Sequence, residues 1–184
     1  MRQALVLAAL MVTVVACGAT SATGSISVLS DSAVPGVPST TKSLTAQDLS
    51  KDASIPGLGS QIESWGFIRG AERTFQGQSR HLTFVDSRRL VFRDATGAGA
   101  YVAFVHDHVT DFFGIGGVEP LVAQGRPGWQ MTPSACACHL ANPVVIGVVS
   151  SGSEVVWLEI NGPDATPALL MALLDPANSS PAAV

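Results

Sequence analysis

The run Cys136-Ala137-Cys138-His139 is where this chain concentrates its reactive side chains. Two thiols separated by one residue can oxidise to a disulfide, exchange with other thiols, or bind a soft metal ion as thiolates. Together with the nearby thioether of Met131, the run offers a sulfur and nitrogen ligand set that suits copper(I) or zinc. Strong zinc signatures have two C-x-x-C pairs or a cysteine pair with spaced histidines, so the run alone leaves these uses open.

The first residues of the chain have the layout of a secretory signal. Arg2 precedes an apolar run from Ala4 to Val15, which is too short to span a bilayer as a stable anchor. The residues Val14-Val15-Ala16-Cys17, directly after that run, resemble the lipobox of bacterial lipoproteins. The resemblance implies that residues 1–16 are removed as a signal peptide. It also implies that lipid on Cys17 holds the protein on the outer face of the cell membrane.

Export bears on the two remaining cysteines, because an exported protein folds in an oxidising compartment. With Cys17 lipidated, Cys136 and Cys138 have only each other as disulfide partners within the chain. Their Cα atoms would lie near the upper limit for a disulfide on an extended strand, so the bridge requires a bend. We predict this disulfide and no cofactor. The alternative is copper or zinc bound by Cys136, Cys138, His139 and Met131.

A second group of polar residues lies on one predicted helix. His106 and His108 would project about 160° apart around that helix, so they could not bind one ion together. Asp107 and Asp111 lie one turn apart and could act as acid and base, but this spacing is more typical of solvated charges. Catalysis is therefore not predicted from these residues.

Ser39-Thr40-Thr41-Lys42 matches the S-x-x-K spacing of penicillin-binding enzymes, but a linker cannot supply the buried lysine that this chemistry needs. Other recognisable enzyme motifs are missing from the sequence. It contains no G-x-S-x-G, no H-E-x-x-H and no phosphate-binding glycine loop with its lysine. Trp65, Trp129 and Trp157 could line a ligand cleft, although core packing is the simpler use of three tryptophans. An enzyme is thus the less favoured class.

Charge further limits the choice of partners. The formal net charge is -4, which is unfavourable for nucleic acid because a phosphate-binding surface needs a net basic field. The arginines concentrate on the first predicted strands and their flanks, at Arg69, Arg73, Arg80, Arg88, Arg89 and Arg93. Neighbouring strands could gather them into a cationic face, but we expect most of them to be solvated.

The patterning predicts an α+β fold. Strands are expected over about 65–75, 80–85, 88–92, 118–123 and 135–140, with a turn at 125–128 and a hairpin over 144–160. A helix capped by Asp94 is expected to run to about Phe113, and a shorter one to begin at a cap on Asp164 or Thr166. We predict an antiparallel sheet covered on one face by these two helices. The element order is similar to that of the PsbP/Mog1-type fold, by analogy only.

The chain is thereby divided into a signal peptide (1–16), a lipidated cysteine with a flexible tether (17–60), a globular domain (61–176) and a disordered tail (177–184). It resembles small uncharacterised lipoproteins of high-GC Gram-positive bacteria. An anchor, a tether and a small domain predict a non-catalytic binding module for an unknown protein or small molecule. Soft-metal binding or thiol redox chemistry at Cys136-Ala137-Cys138-His139 is the alternative.

Overall fold

A computed structural model describes residues 25–77, 81–114, 116–133 and 142–182. The strands in these ranges are β1 (Ser27–Leu29), β2 (Ser39–Leu44), β3 (Phe67–Gln76), β4 (Phe84–Phe92), β5 (Gly116–Ala123), β6 (Arg126–Pro133), β7 (Val144–Ser151), β8 (Glu154–Asn161) and β9 (Ser179–Pro181). The α-helices are α1 (Ala46–Leu49), α2 (Leu58–Ser64), α3 (Ala95–Asp107), α4 (Val109–Phe113) and α5 (Pro167–Leu173). None of the described helices is long and apolar enough to cross a membrane.

Seven strands form one antiparallel sheet in the order β2-β3-β4-β8-β7-β6-β5. The hairpin predicted over 144–160 is confirmed as β7 and β8. The strands expected at 80–85 and 88–92 are instead one strand, β4, because Asp86 and Ser87 continue its pairing with β3 and β8. The turn expected at 125–128 is formed instead by Gln124 and Gly125, which lie between β5 and β6 and both have positive φ. The strand expected at 135–140 lies outside the described residues.

Alternating residues of the central strands belong to two separate cores. On β7 and β8, Ile146, Val148 and Trp157 pack against α3, whereas Val149 and Ile160 pack against α5. Successive side chains of a strand point to opposite faces, so these helices cover opposite sides of the sheet. We call these sides the α3 face and the α5 face.

The predicted α+β class with an antiparallel sheet is confirmed. The cover differs from the expected arrangement, in which both helices lie on one face. The central strands carry apolar residues on both sides, and burying them requires helices on both. A two-stranded ribbon of β1 and β9 completes the α5 face, where Leu29 N donates to Ser87 Oγ at 3.0 Å.

The predicted tether over 17–60 is wrong for residues 25–60, which form regular structure. The stretch lacks alternation, but most of its sparse apolar residues, among them Leu44, Leu49 and Leu58, are buried. The polar strand β2 gains its order from backbone pairing with β3. The disordered tail expected at 177–184 is likewise wrong for residues 177–182, because β9 pairs with β1.

Helix α3 begins as predicted at Asp94, whose side chain accepts from Gly97 N at 2.9 Å. Gly97 permits close contact with the preceding segment, because a Cβ there would lie 1.9 Å from the carbonyl oxygen of Trp65. The single helix expected to reach Phe113 is interrupted at His108, whose φ of -113° and ψ of 24° are not helical. Helix α4 therefore forms a separate turn beside the end of α3.

Candidate functional site

A groove of about 350 Å³ opens between α3 and the edge hairpin of β5 and β6. One side of α3 is buried in the core through Ala98, Tyr101 and Val105. The adjoining side of the helix therefore faces this hairpin. The lining is mostly apolar and consists of Gly99, Val102, Ala103, His106, Val118, Glu119, Pro120, Pro127, Gly128, Trp129 and Ser150. We refer to it as the α3–β6 groove.

Trp129 fixes the groove's inner wall. Its side chain is 4% exposed, and its Nε1 donates to the carbonyl oxygen of Val102 at 3.2 Å. The indole also lies edge-on to His106 and Phe113, with ring centroids 6.1 and 6.2 Å away. These contacts hold α3 at a set distance from β6, so the wall is formed before any ligand arrives.

Polar groups lie at the rim of the α3–β6 groove. His106 Nδ1 is 3.1 Å from Asp107 Oδ1, and Glu119 accepts from Gln130 Nε2 at 3.4 Å. Ser150 contributes a hydroxyl, yet within the described residues no hydrogen bond joins it to His106.

A second unusual feature is a buried group of charges beneath α3, which we call the Arg88 cluster: Asp52, Glu72, Asp86 and Arg88. The Arg88 guanidinium contacts Asp52, lies 2.9 Å from Glu72 Oε1 and 2.7 Å from Asp86 Oδ2. Its Cζ also lies 5.0 Å from the ring centroid of Trp157. Because Asp52 precedes α2 while the other members lie on β3 and β4, the cluster joins the α1–α2 segment to the sheet.

Burial shifts the proton affinities of this region. Burial raises the pKa of Asp86 to about 7, even though Arg88 opposes the shift. Burial also raises the pKa of Glu159, the cross-strand partner of Asp86. Burial alone would lower the pKa of Arg88, but Asp86 and Asp52 outweigh it and raise the value, so Arg88 stays charged.

Some polar atoms around the Arg88 cluster have no hydrogen-bond partner among the described residues. They are Asp86 Oδ1, the Tyr101 hydroxyl and Trp157 Nε1, and all are buried. Within the described ranges, no three acidic, histidine or cysteine side chains are placed to hold a metal ion. Arg88 occupies the centre of the carboxylates, and we therefore interpret the cluster as a structural element rather than a binding site.

Among the described residues, the arginines do not form the cationic face considered from the sequence. Arg73 and Arg88 are largely buried, and Arg73 Nη1 donates to Leu29 O at 3.0 Å and to Ser180 Oγ at 3.1 Å. Arg89 pairs with Glu154 at 2.8 Å. The prediction that the arginines are solvated is therefore wrong for Arg73 and Arg88, whose side chains point towards the elements that cover the sheet.

The cysteine and histidine candidates fall mainly outside the described residues. Cys17, Cys136, Cys138 and His139 all lie there, so their predicted roles stay predictions. Met131 is described and fully buried on the α3 face, in the core that contains Trp129.

The histidines on the helix separate, as their spacing predicts. His106 lines the groove, whereas His108 stacks on Phe104 with 4.0 Å between ring centroids. Of the three tryptophans, Trp129 lines the groove and Trp157 is a core residue. The sequence marked Trp129 as a candidate only because it is a tryptophan. That it lies opposite α3 depends on the order of the strands in the sheet, which the sequence does not show.

Comparison with known proteins adds little to this geometry. No family model matches the chain, and no curated protein matches it. Among solved structures, the chain is similar to the extracellular domain of PknH from Mycobacterium tuberculosis, with 13% identity, a TM-score of 0.38, and coverage of 82% of this chain and 79% of that one. What the groove binds is therefore inferred from its own side chains.

Proposed function

We propose that this chain is an exported lipoprotein, anchored through lipid on Cys17, whose folded part is a non-catalytic binding module. The ligand is a small, flat, largely apolar molecule with one polar group, and it binds in the α3–β6 groove. The leader and the Val14-Val15-Ala16-Cys17 run support export and anchoring.

One observation carries the binding proposal: an apolar groove whose Trp129 wall is already held in place. Its volume of about 350 Å³ falls in the usual range for small-molecule sites, roughly 300–1,000 Å³. Val102 and Pro120, backed by the buried Trp129, offer apolar surface against which a flat ring can pack. His106 and Glu119 at the rim supply the polar contacts that orient such a ligand.

Filling the groove tests the proposal. A Cβ at Gly99 meets nothing within 4 Å, so Gly99→Leu projects a side chain into the groove without a clash. We expect the soluble chain from Gly18 onward to bind 8-anilinonaphthalene-1-sulfonate with enhanced fluorescence. Gly99→Leu should weaken that binding at least tenfold.

Gly117→Leu is the matched control. Gly117 is also exposed with open space at its Cβ, but it does not line the groove. This variant should bind the probe as the parent does. Equal affinity of the parent and Gly99→Leu would place the probe elsewhere and contradict the proposal.

A further inference from the structure

A second cavity, of about 560 Å³, lies where the described chain begins. We call it the Ser25 cavity. Its lining combines apolar with charged and hydroxyl side chains and includes Ser25, Ile26, Leu44, Glu63, Phe67 and Arg69. It is separate from the α3–β6 groove, since no residue lines both.

The cavity is open because β3 extends beyond its neighbour. Strand β2 ends with Leu44 opposite Gly70, so Phe67–Arg69 has no partner on that side within the described sheet. The pairing of β3 with β4 is irregular between Phe67 and Arg69. Ile68, which lies at this irregularity, is left 60% exposed.

The position of this surface relative to the anchor is limited by chain length. Ser25 follows Cys17 by only eight residues. Even fully extended, a chain of that length spans at most about 29 Å. A lipid on Cys17 would therefore keep this end of the domain close to the bilayer.

We propose that the Ser25 cavity and Ile68 dock on the phospholipid leaflet that holds the anchor. Ile68 enters the boundary between headgroups and acyl chains, and Arg69 faces the lipid phosphates. The docking rests on the proposed lipid anchor at Cys17. A short link and an apolar contact together bind a membrane better than either does alone, because the link raises the effective concentration of the second contact.

The chain offers a matched pair of probes. Within the described residues, Ile68 and Val122 are the exposed large hydrophobic side chains, at 60% and 65% exposure. Val122 lies on β5, the strand at the far edge of the sheet from β2 and β3. Ile68→Trp and Val122→Trp should both fold, since each replaces an exposed side chain.

The experiment uses the full acylated chain in phosphatidylglycerol and phosphatidylethanolamine vesicles that contain brominated lipid. After subtraction of the parent's signal from Trp65, Trp129 and Trp157, the added tryptophan of Ile68→Trp should be quenched at least threefold more than that of Val122→Trp. Adding Arg69→Glu to Ile68→Trp should reduce its quenching. Equal quenching at the two positions, or stronger quenching at Val122, would overturn the docking.

Vesicle flotation separates the docking from the proposal on which it rests. If the protein floats with the vesicles but Ile68→Trp is not quenched, the anchor stands and the docking is wrong. If the acylated chain does not float, the anchor itself is wrong and the docking fails with it.

Discussion

Arg88 shows how much a single residue's role depends on partners that the sequence does not reveal. On β4 it lies between Ser87 and Arg89, a polar stretch in which arginine is usually solvated. Its three carboxylate partners come from β4 itself, from β3 and from the turn before α2. Only the tertiary arrangement brings them together, and so the arginines were not predicted to be buried.

Removing the guanidinium should be costly. Arg88→Met removes the cation that Asp52, Glu72 and Asp86 share, and Glu72 then keeps only its pairing with the exposed Lys42 among those ion pairs. A broken buried ion pair typically costs about 3–5 kcal/mol. We expect a loss of this size in the free energy of unfolding, measured by urea denaturation at pH 7. Arg93→Met, at an exposed position, should change it by less than about 0.5 kcal/mol. Similar losses in the two variants would show that the cluster does not stabilise the fold.

Asp86 should give the stability a distinct pH dependence. The unfolded chain releases this proton near pH 3.8, whereas the folded protein retains it to about pH 7. Unfolding therefore releases a proton between these values, and the contribution of Asp86 to stability falls as pH rises from about 4 to about 7. The Asp86→Asn variant has no titrating group at this position, so it does not lose stability in this way. As pH rises from about 4 to about 7, its free energy of unfolding should increase relative to that of the parent by at most about 1.4 kcal/mol per pH unit. A constant difference between the two proteins would refute the assignment.

The thiols of Cys136 and Cys138 have an expected state that follows from export alone. We predict that the chain from Gly18 onward, purified from an oxidising compartment, has no titratable thiol and no stoichiometric metal. Thiol titration and elemental analysis measure both quantities. Two free thiols with one copper or zinc per chain would favour the soft-metal alternative.

At the scale of elements, the sequence predicted those whose signal is local. The N-cap at Asp94 and the hairpin of β7 and β8 are confirmed, and of the two caps considered for α5 the structure has Thr166. Strand β2 was missed because its Ser, Thr and Lys side chains give no alternation, and pairing with β3 orders it. The α3–β6 groove could not be predicted, since it depends on β5 and β6 lying at the sheet edge beside α3.

Two glycines of α3 should respond in opposite directions to the same substitution. Gly97→Ala places a methyl group 1.9 Å from the Trp65 carbonyl oxygen, so backbone must move and stability should fall by about 1–3 kcal/mol. Gly99→Ala meets open space and should raise stability by up to about 1 kcal/mol, because alanine favours the helix. Thermal unfolding of both variants measures the contrast. A gain at Gly97 would mean that the helix is not in close contact with Trp65.

At the scale of the whole molecule, the sheet separates two cores, and each depends on segments far apart in sequence. The α5 face is closed in part by β1 and β9, from opposite ends of the described chain. Neither strand was predicted, because each has only three residues and so is too short to show an alternation of polar and apolar side chains. Their pairing is a long-range contact that becomes visible only once the sheet exists.

Deleting residues after Asp175 should therefore destabilise the protein. The deletion removes β9, uncovers Val28 and takes away the Ser180 hydroxyl that accepts from Arg73. We expect the melting temperature to drop by several degrees, since each kcal/mol corresponds to about 2–4 °C in a chain of this size. An unchanged melting temperature would show that β9 adds nothing to the fold.

The pairing of β1 with β9 has a practical result for anyone who handles the protein. Ala182 N donates to Ile26 O at 2.7 Å, so the two ends leave the domain side by side. A purification handle or fluorescent reporter fused after Ala182 would start next to the segment that leads to Cys17 and compete for space with the lipid anchor proposed there. The turn at Gln124 and Gly125, on the far hairpin, is the better insertion point for such a label.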